Sequence, residues 1–149
     1  RYMRMLDVTK TGPHQVKLGQ WVELAPFESL LNMQIEQAAE GRAVLTMPFC
    51  YEYAQGAGVL HGGAITALAD TAAAMAIKTL LPEGSRFGTI WLETRFLRAG
   101  IAGVFRCEAQ IGKPSGRDYP CRASVVNEEG EEIAQFNATF RVAQSTDLT

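Results

Sequence analysis

The sequence holds no apolar run near the roughly eighteen residues that a membrane-spanning helix requires, so no membrane partner is expected. The stretch Arg1 to Lys10 has no apolar segment of the kind that opens a secretory leader, so none is expected either. Cysteine is sparse. Cys50, Cys107 and Cys121 are odd in number and none falls in a CxxC pair. That argues against structural zinc and a disulfide framework, and makes the reducing cytoplasm the expected location. Charge of one sign is also missing. Against 14 Lys and Arg stand 16 Asp and Glu, a net of −2. No basic surface points to nucleic acid, and no such partner is expected. Internal repeats and low-complexity linkers are absent as well.

What is present is material for one soluble domain. Of the 149 residues, 47% are apolar and 20% charged. A chain of this length buries about 70% of its unfolded surface, so it needs no covalent or metal staple. Residues 1–25 are loosely patterned and read as an N-terminal extension, with a helix and a short lead-in. The expected domain runs over 26–145. Pro26 suits the first position of a short helix carrying Phe27, Leu30 and Leu31. Residues 33–39 and 42–49 read as a hairpin turning at Glu40-Gly41. Cys50 to Leu60 reads as a loop.

The strongest helical signal runs from Gly62 to Leu80. Ile65, Leu68, Ala69, Ala72, Met75, Ala76 and Thr79 follow helical spacing. Ala64, Ala67, Ala73 and Ala74 fill much of the rest, and a helix apolar nearly all round is a buried one. After Pro82 and Gly84 only strands are expected: Phe87–Arg98, a strand through Phe105, Cys107, Ala109 and Ile111, one through Cys121, Ala123 and Val125, and one through Ala134, Phe136, Ala138, Phe140 and Val142. Their period-two alternation indicates an antiparallel sheet with one covered face. Asn127 to Gly130 reads as a turn, and Gly112 to Pro120 as a longer loop. The fold class is α+β, with about six antiparallel strands wrapped around one long helix.

Asp70 stands out in that helix. A carboxylate among alanines is costly unless paired, hydrogen-bonded or neutralised. Burial would raise its pKa and make it a better base. The plainer alternative places it on a solvated stripe with Thr66 and Lys78. At the helix start, Gly62 and Gly63 let a ligand approach the backbone. The first N–H groups of a helix have no intrahelical partner and face the positive end of its dipole. Such a site suits the oxyanion of a carbonyl under attack. The plainer alternative here is a tight loop-to-helix turn. Eight residues separate Gly62 from Asp70, about 12 Å at 1.5 Å per residue. If both work on one carbonyl, they must come from different chains, and at least a dimer is needed.

The run His61-Gly62-Gly63-Ala64-Ile65-Thr66-Ala67-Leu68-Ala69-Asp70 resembles the signature of hotdog-fold thioesterases of the phenylacetate-degradation (PaaI-like) type. The resemblance extends from about residue 28 to residue 142, through Thr89–Arg98, Gly116-Arg117 and Gly130–Ala134. It implies the hotdog fold and hydrolysis of acyl-CoA thioesters. It implies that Asp70 is general base or nucleophile and that the Gly62 N–H, with Gly63, polarises the thioester oxygen. Six positions before the histidine the family usually carries Asn, which orients the carbonyl or water; here Gln55 stands there. Thr89 falls where a hydroxyl helps place the water. His61 shapes the turn and, with Gly63, lines the substrate. Coenzyme A is part of the substrate, and no separate cofactor or metal is implied. Its phosphates favour cations, for which Arg98, Lys113, Arg117 and Arg122 are candidates. Phe27, Leu30, Leu31 and Tyr53 are candidates for the acyl tunnel. A homodimer or homotetramer is implied.

Two other readings compete. One is a hotdog hydratase or dehydratase, which would use a histidine paired with a carboxylate; the only histidine near this helix is His61. The other is a non-catalytic acyl-CoA binding module, which the fold alone does not separate from an enzyme.

Overall fold

The computed structural model describes residues 6–144; residues 1–5 of the expected extension and position 145, the expected end of the domain, lie outside the described residues. Two helices and six strands are present: α1 (Pro26–Leu30), β1 (Gln34–Ala39), β2 (Arg42–Pro48), α2 (Gly62–Lys78), β3 (Phe87–Phe96), β4 (Val104–Ile111), β5 (Asp118–Val126) and β6 (Glu132–Val142). The strands form one antiparallel sheet in the order β1-β2-β4-β5-β6-β3. The sheet curls around α2, which is the hotdog arrangement.

Alternation decides which side of each strand meets the helix. On β4, Phe105, Cys107, Ala109 and Ile111 are buried, while Glu108 and Gln110 face water. On β6, Phe136, Ala138 and Phe140 point inward. Helix α2 answers with Ile65, Leu68, Ala69, Ala72, Ala73, Met75, Ala76 and Ile77, all buried. Small side chains let a helix axis approach its neighbour closely, and the alanines let α2 sink into the sheet's concave face. Its far end is closed from two sides. The Thr79 hydroxyl accepts from the Gly41 N–H at 2.7 Å, so the Glu40-Gly41 turn, at φ 52° and 78°, caps the helix. On the other side the Trp21 indole N–H donates to the Lys78 carbonyl, and the Lys78 ammonium donates to the Trp21 carbonyl, both at 2.9 Å.

The described part of the N-terminal segment differs from expectation, because residues 6–25 contain no helix. Gly12, Pro13 and Gly19 interrupt any helical run, and the Trp21–Lys78 clamp orders the chain instead. Helix α2 stops at Lys78, two residues short of Leu80. Strand β3 stops at Phe96 rather than Arg98, because the Leu97 and Arg98 N–H groups both turn to the Ile133 carbonyl, at 2.9 and 3.3 Å. Strand β5 begins at Asp118, inside the expected loop, where Arg141 grips the Asp118 carboxylate with two hydrogen bonds of 2.7 and 2.9 Å. A short 3-10 turn, Tyr51–Tyr53, breaks the loop before α2.

One irregularity in β3 positions the site. Thr89 pairs with Phe140, Trp91 with Thr139 and Thr94 with Phe136, so Ile90 is an extra residue, a β-bulge. In an unbroken strand, residues five apart face opposite sides. The bulge restores parity, and both Thr89 and Thr94 face the helix. Thr89 donates to Asp70, and the Thr94 hydroxyl bonds that of Thr66 at 2.8 Å. Deleting Ile90 should therefore remove one of these two bonds, at a cost of about 1 kcal/mol. Urea unfolding of the deletion variant beside Thr89→Val and Thr94→Val checks this; a deletion that leaves stability unchanged would show that the bulge does not set the parity.

Candidate active site

Helix α2 supplies both ends of the site. Its face toward β3 carries Thr66, Ala67, Asp70, Ala74 and Lys78, all half-buried. The stripe anticipated for a solvated Asp70 thus exists, but Asp70 on it is held. The Thr89 hydroxyl donates to Asp70 Oδ1 at 2.9 Å. Burial pushes the Asp70 pKa above the ordinary carboxylate value, the Thr89 hydrogen bond opposes that shift, and the negative charge of Glu28 on α1 adds to it. The same field reaches the floor of the sheet. Burial raises the Cys121 thiol to about 12, with a contribution from the Asp70 charge. A carboxylate whose charged form is disfavoured is a stronger base once ionised.

At the helix start, His61 is the N-cap residue and its Nδ1 accepts the Gly63 N–H at 2.8 Å. That acceptor role places the ring proton on Nε2. It also occupies the Gly63 N–H. The Ala64 and Ile65 N–H groups both go to the His61 carbonyl. Of the first helical donors, the Gly62 N–H alone has no partner among the described residues. Gly62 opens onto a groove of about 400 Å³, with Ile65, Phe96, Leu97 and Arg98 in its walls. A Cβ at Gly62 would lie 3.1 Å from the Phe96 ring, so the missing side chain keeps the groove open beneath that aromatic.

The other expected residues fall in different places. Gln55 sits in the loop before α2, which closes on itself through Gln55 N–H to Val59 carbonyl and Gly58 N–H to Gln55 carbonyl, both 2.8 Å. The Gln55 side-chain oxygen accepts from the Ala57 N–H, so its amide is turned into its own loop. Arg98 shares the groove with Gly62 but is ion-paired with Glu131 at 3.0 Å. Arg117 lies with Thr89 in a second groove of about 340 Å³. Lys113 is exposed and lines neither groove. Arg122 lies beside Trp91 and Glu93 on the sheet's outer side, away from Asp70. Of the acyl-tunnel candidates, Leu31 and Tyr53 pack into the protein, while Phe27 and Leu30 are more than half exposed. Among the described residues no cluster of three or more His, Cys, Asp or Glu could hold a metal, and no helix is long and apolar enough to cross a membrane.

Sequence reasoning overlooked Phe96, Glu28 and the Thr66–Thr94 pair. Phe96 carried a usable signal, a large aromatic at a strand end facing a glycine pair. Glu28 did not, since its influence on Asp70 depends on how α1 docks against α2.

The model of the thioesterase superfamily matches residues 57–134, just over half of the chain. A Halobacterium salinarum protein, provisionally named an esterase, is 28% identical over 125 residues, covering 76% of this chain and 82% of that one. Among solved structures, the PaaI protein of the Escherichia coli phenylacetic acid degradation operon superposes with a TM-score of 0.73 at 27% identity, over 79% of this chain and 84% of that one. A hypothetical thioesterase of Streptococcus pneumoniae, solved with coenzyme A, has the same fold with a TM-score of 0.69 at 21% identity, over 75% and 86%.

Two outcomes follow from the electrostatics of Asp70. Thr89→Val removes the hydrogen bond that favours the charged form, so the Asp70 carboxyl should titrate at a still higher pH, read by carbon NMR. An unchanged or lower midpoint would show that the bond does not support the charge. The native pKa lies above the unfolded value of about 3.9, so the native state binds the extra proton between the two values. Stability is thus fully present below the unfolded pKa and falls as pH rises through that window. Asp70→Asn should lack this loss and be at least as stable as the unaltered protein in urea at pH 7.

Proposed function

The chain belongs to the thioesterase superfamily, and we propose that it hydrolyses acyl-CoA thioesters to a free acid and coenzyme A in sites shared between protomers. The observation that carries this reading is one helix with two complementary groups: Asp70, half-buried and held by Thr89, and the unpaired N–H of Gly62. With Asp70 as base, the carboxylate takes a proton from water as the water oxygen adds to the thioester carbon. The carbonyl oxygen gains negative charge and is met by the Gly62 N–H and the positive end of the helix dipole. Collapse of the tetrahedral centre breaks the C–S bond, and the proton on Asp70 passes to the departing sulfur. With Asp70 as nucleophile, the carboxylate adds to the carbon, the C–S bond breaks and coenzyme A leaves as its thiolate; water then opens the mixed anhydride, its oxygen going to the acid and a proton to the thiolate, and the Asp70 carboxylate is restored. Thr89 serves either route by fixing the carboxylate's orientation. Neither route needs an electron sink or a separate cofactor.

About 12 Å of helix rise separates Gly62 from Asp70, so one carbonyl cannot meet both on a single chain. Strand β3 supports pairing with a second copy. It is a ten-residue edge that pairs, among the described residues, with β6 alone, and Ile90 and Trp91 are each 51% exposed and Phe96 54%. A long apolar edge is a template for another chain. A homodimer, alone or within a homotetramer, is the assembly proposed. The coenzyme A in the pneumococcal neighbour supports the substrate class, and Arg98, Lys113 and Arg117 are proposed to meet its phosphates. For Arg98 that requires release from Glu131.

Three measurements test the proposal. Asp70→Asn should lower acyl-CoA turnover, followed with a thiol-trapping dye, by at least about 100-fold, with much smaller change in ligand affinity. Normal hydrolysis by a folded Asp70→Asn protein would end the reading. Gly62→Ala, which adds a Cβ beneath Phe96 but keeps the N–H, is the reference; against it, Gly62→Pro deletes the donor at a position where proline is tolerated, and the extended His61 backbone, φ −61° and ψ 131°, is compatible with a following proline. Turnover should fall about 100- to 1000-fold. The active protein should sediment as a dimer or larger; an active monomer would remove the shared site.

A further inference from the structure

The loop that carries Gln55 and leads into Gly62 is closed at its base and fastened to the rest of the molecule by the Leu60 N–H, which donates to the Gly100 carbonyl at 2.8 Å, and, toward α1, by Tyr53. Its side chain is 8% exposed. The phenolic oxygen accepts from Asn32 Nδ2 at 2.7 Å and donates to the Leu30 carbonyl at 3.2 Å. Both partners belong to the end of α1, where Asn32 takes the left-handed conformation, φ 55°, that reverses the chain into β1. The backbone carbonyl of the same Tyr53 accepts the His61 N–H at 2.8 Å. The next N–H in the chain is that of Gly62. Between these points the loop is pinned by the Ala54–Leu60 bridge and the Gln55–Val59 bond. Residues 54–61 are thus cross-bonded into a closed unit, held to Gly100 through Leu60 and to α1 through Tyr53.

We propose that Tyr53 is a positioning residue, one that sets the Gly62 N–H relative to helix α1 through its phenol on Asn32 and Leu30 and its carbonyl on His61. The inference rests on the proposed role of Gly62 as oxyanion donor. The phenol is well suited to the task. Burial raises its pKa above the ordinary tyrosine value, so it remains a protonated donor, while the Asn32 amide bonds its oxygen. The ring fills core space independently of the hydroxyl, which separates packing from orientation. An oxyanion donor works only when it is aimed at the place the oxygen will occupy, and misplacement by about 1 Å from a distant change can cost as much as about 100-fold. Loosening this anchor therefore acts on the transition state more than on binding of the coenzyme A portion.

Two variants and two readouts test it. Tyr53→Phe keeps the buried ring and removes the hydroxyl; Asn32→Gly removes its donor partner from the other side and suits the left-handed turn. In each, the His61 amide should exchange its hydrogen at least about fivefold faster, the worth of roughly one hydrogen bond. Turnover of an acyl-CoA should fall about tenfold with KM held within about twofold, the pattern of an interaction lost in the transition state. The double variant should be no worse than the more impaired single one, since both changes open the same link. Unchanged His61 exchange in both variants overturns the inference, whatever the activity. So does faster exchange with kcat and KM both unaltered, which would leave Tyr53 a purely structural residue. Absence of turnover in the unaltered protein, with exchange still accelerated in the variants, would overturn the hydrolytic reading and leave the mechanical link standing.

Discussion

A carboxylate inside a helix that is otherwise apolar needs a donor from somewhere else in the fold. Here Thr89 provides it, and much of the architecture serves to bring Thr89 there. The donor sits on β3, the last strand of the sheet, which touches the helix at few places. Its side chain reaches Asp70 while Thr94, five residues on, also faces the helix, because the bulge at Ile90 shifts the strand's alternation by one residue between them. The second threonine then bonds Thr66 one turn earlier on the helix. Two hydroxyl contacts thus join helix and edge strand, and one of them tunes the group proposed to do the chemistry. Burial and the charge of Glu28 raise the Asp70 pKa while Thr89 restrains it. The site balances basicity against the population of the ionised form.

The helix imposes the other constraint. Its alanines let it lie deep in the sheet, and its rigidity fixes Gly62 and Asp70 at opposite ends of eight residues. The start of the helix is economical in donors. His61 occupies the Gly63 N–H, the His61 carbonyl occupies two more, and the Gly62 N–H remains. An arrangement that leaves one donor free beneath an aromatic, Phe96, is narrower than a bare helix N-terminus. It also commits the Nδ1 of His61 to capping the helix.

The sequence made the fold legible because alternation and helical periodicity are strong in this chain. Phe105 through Ile111 and Ala134 through Val142 declare their inward faces, and the alanine run declares burial. Asp70 and Gly62 were legible because each breaks the pattern around it. The bulge at Ile90 was not, since Phe87 to Phe96 reads as one continuous β-branched and aromatic run. The fate of the Gly63 N–H was hidden as well, because it depends on a rotamer of His61. The N-terminal helix expected within residues 1–25 is absent from the described residues 6–25, where the Trp21–Lys78 clamp supplies order that no local pattern announces. The ion pair of Arg98 with Glu131 was equally out of reach, being a contact between segments far apart in the chain.

The sheet order carries a consequence for how the protein is made. Among the described residues, strand β3 pairs with β6 alone, and β6 follows every other strand in sequence. A ribosome that has delivered α2 and β3 has produced both Asp70 and Thr89, but nothing yet against which β3 can align. The pairings at the other side of the sheet, β1 with β2 and β2 with β4, are available earlier, and domains with distant pairings close those late. The Thr89–Asp70 contact therefore waits for the synthesis of β6. A chain cut short before Glu132 would hold the signature helix and lack the strand that aligns Thr89 with its carboxylate.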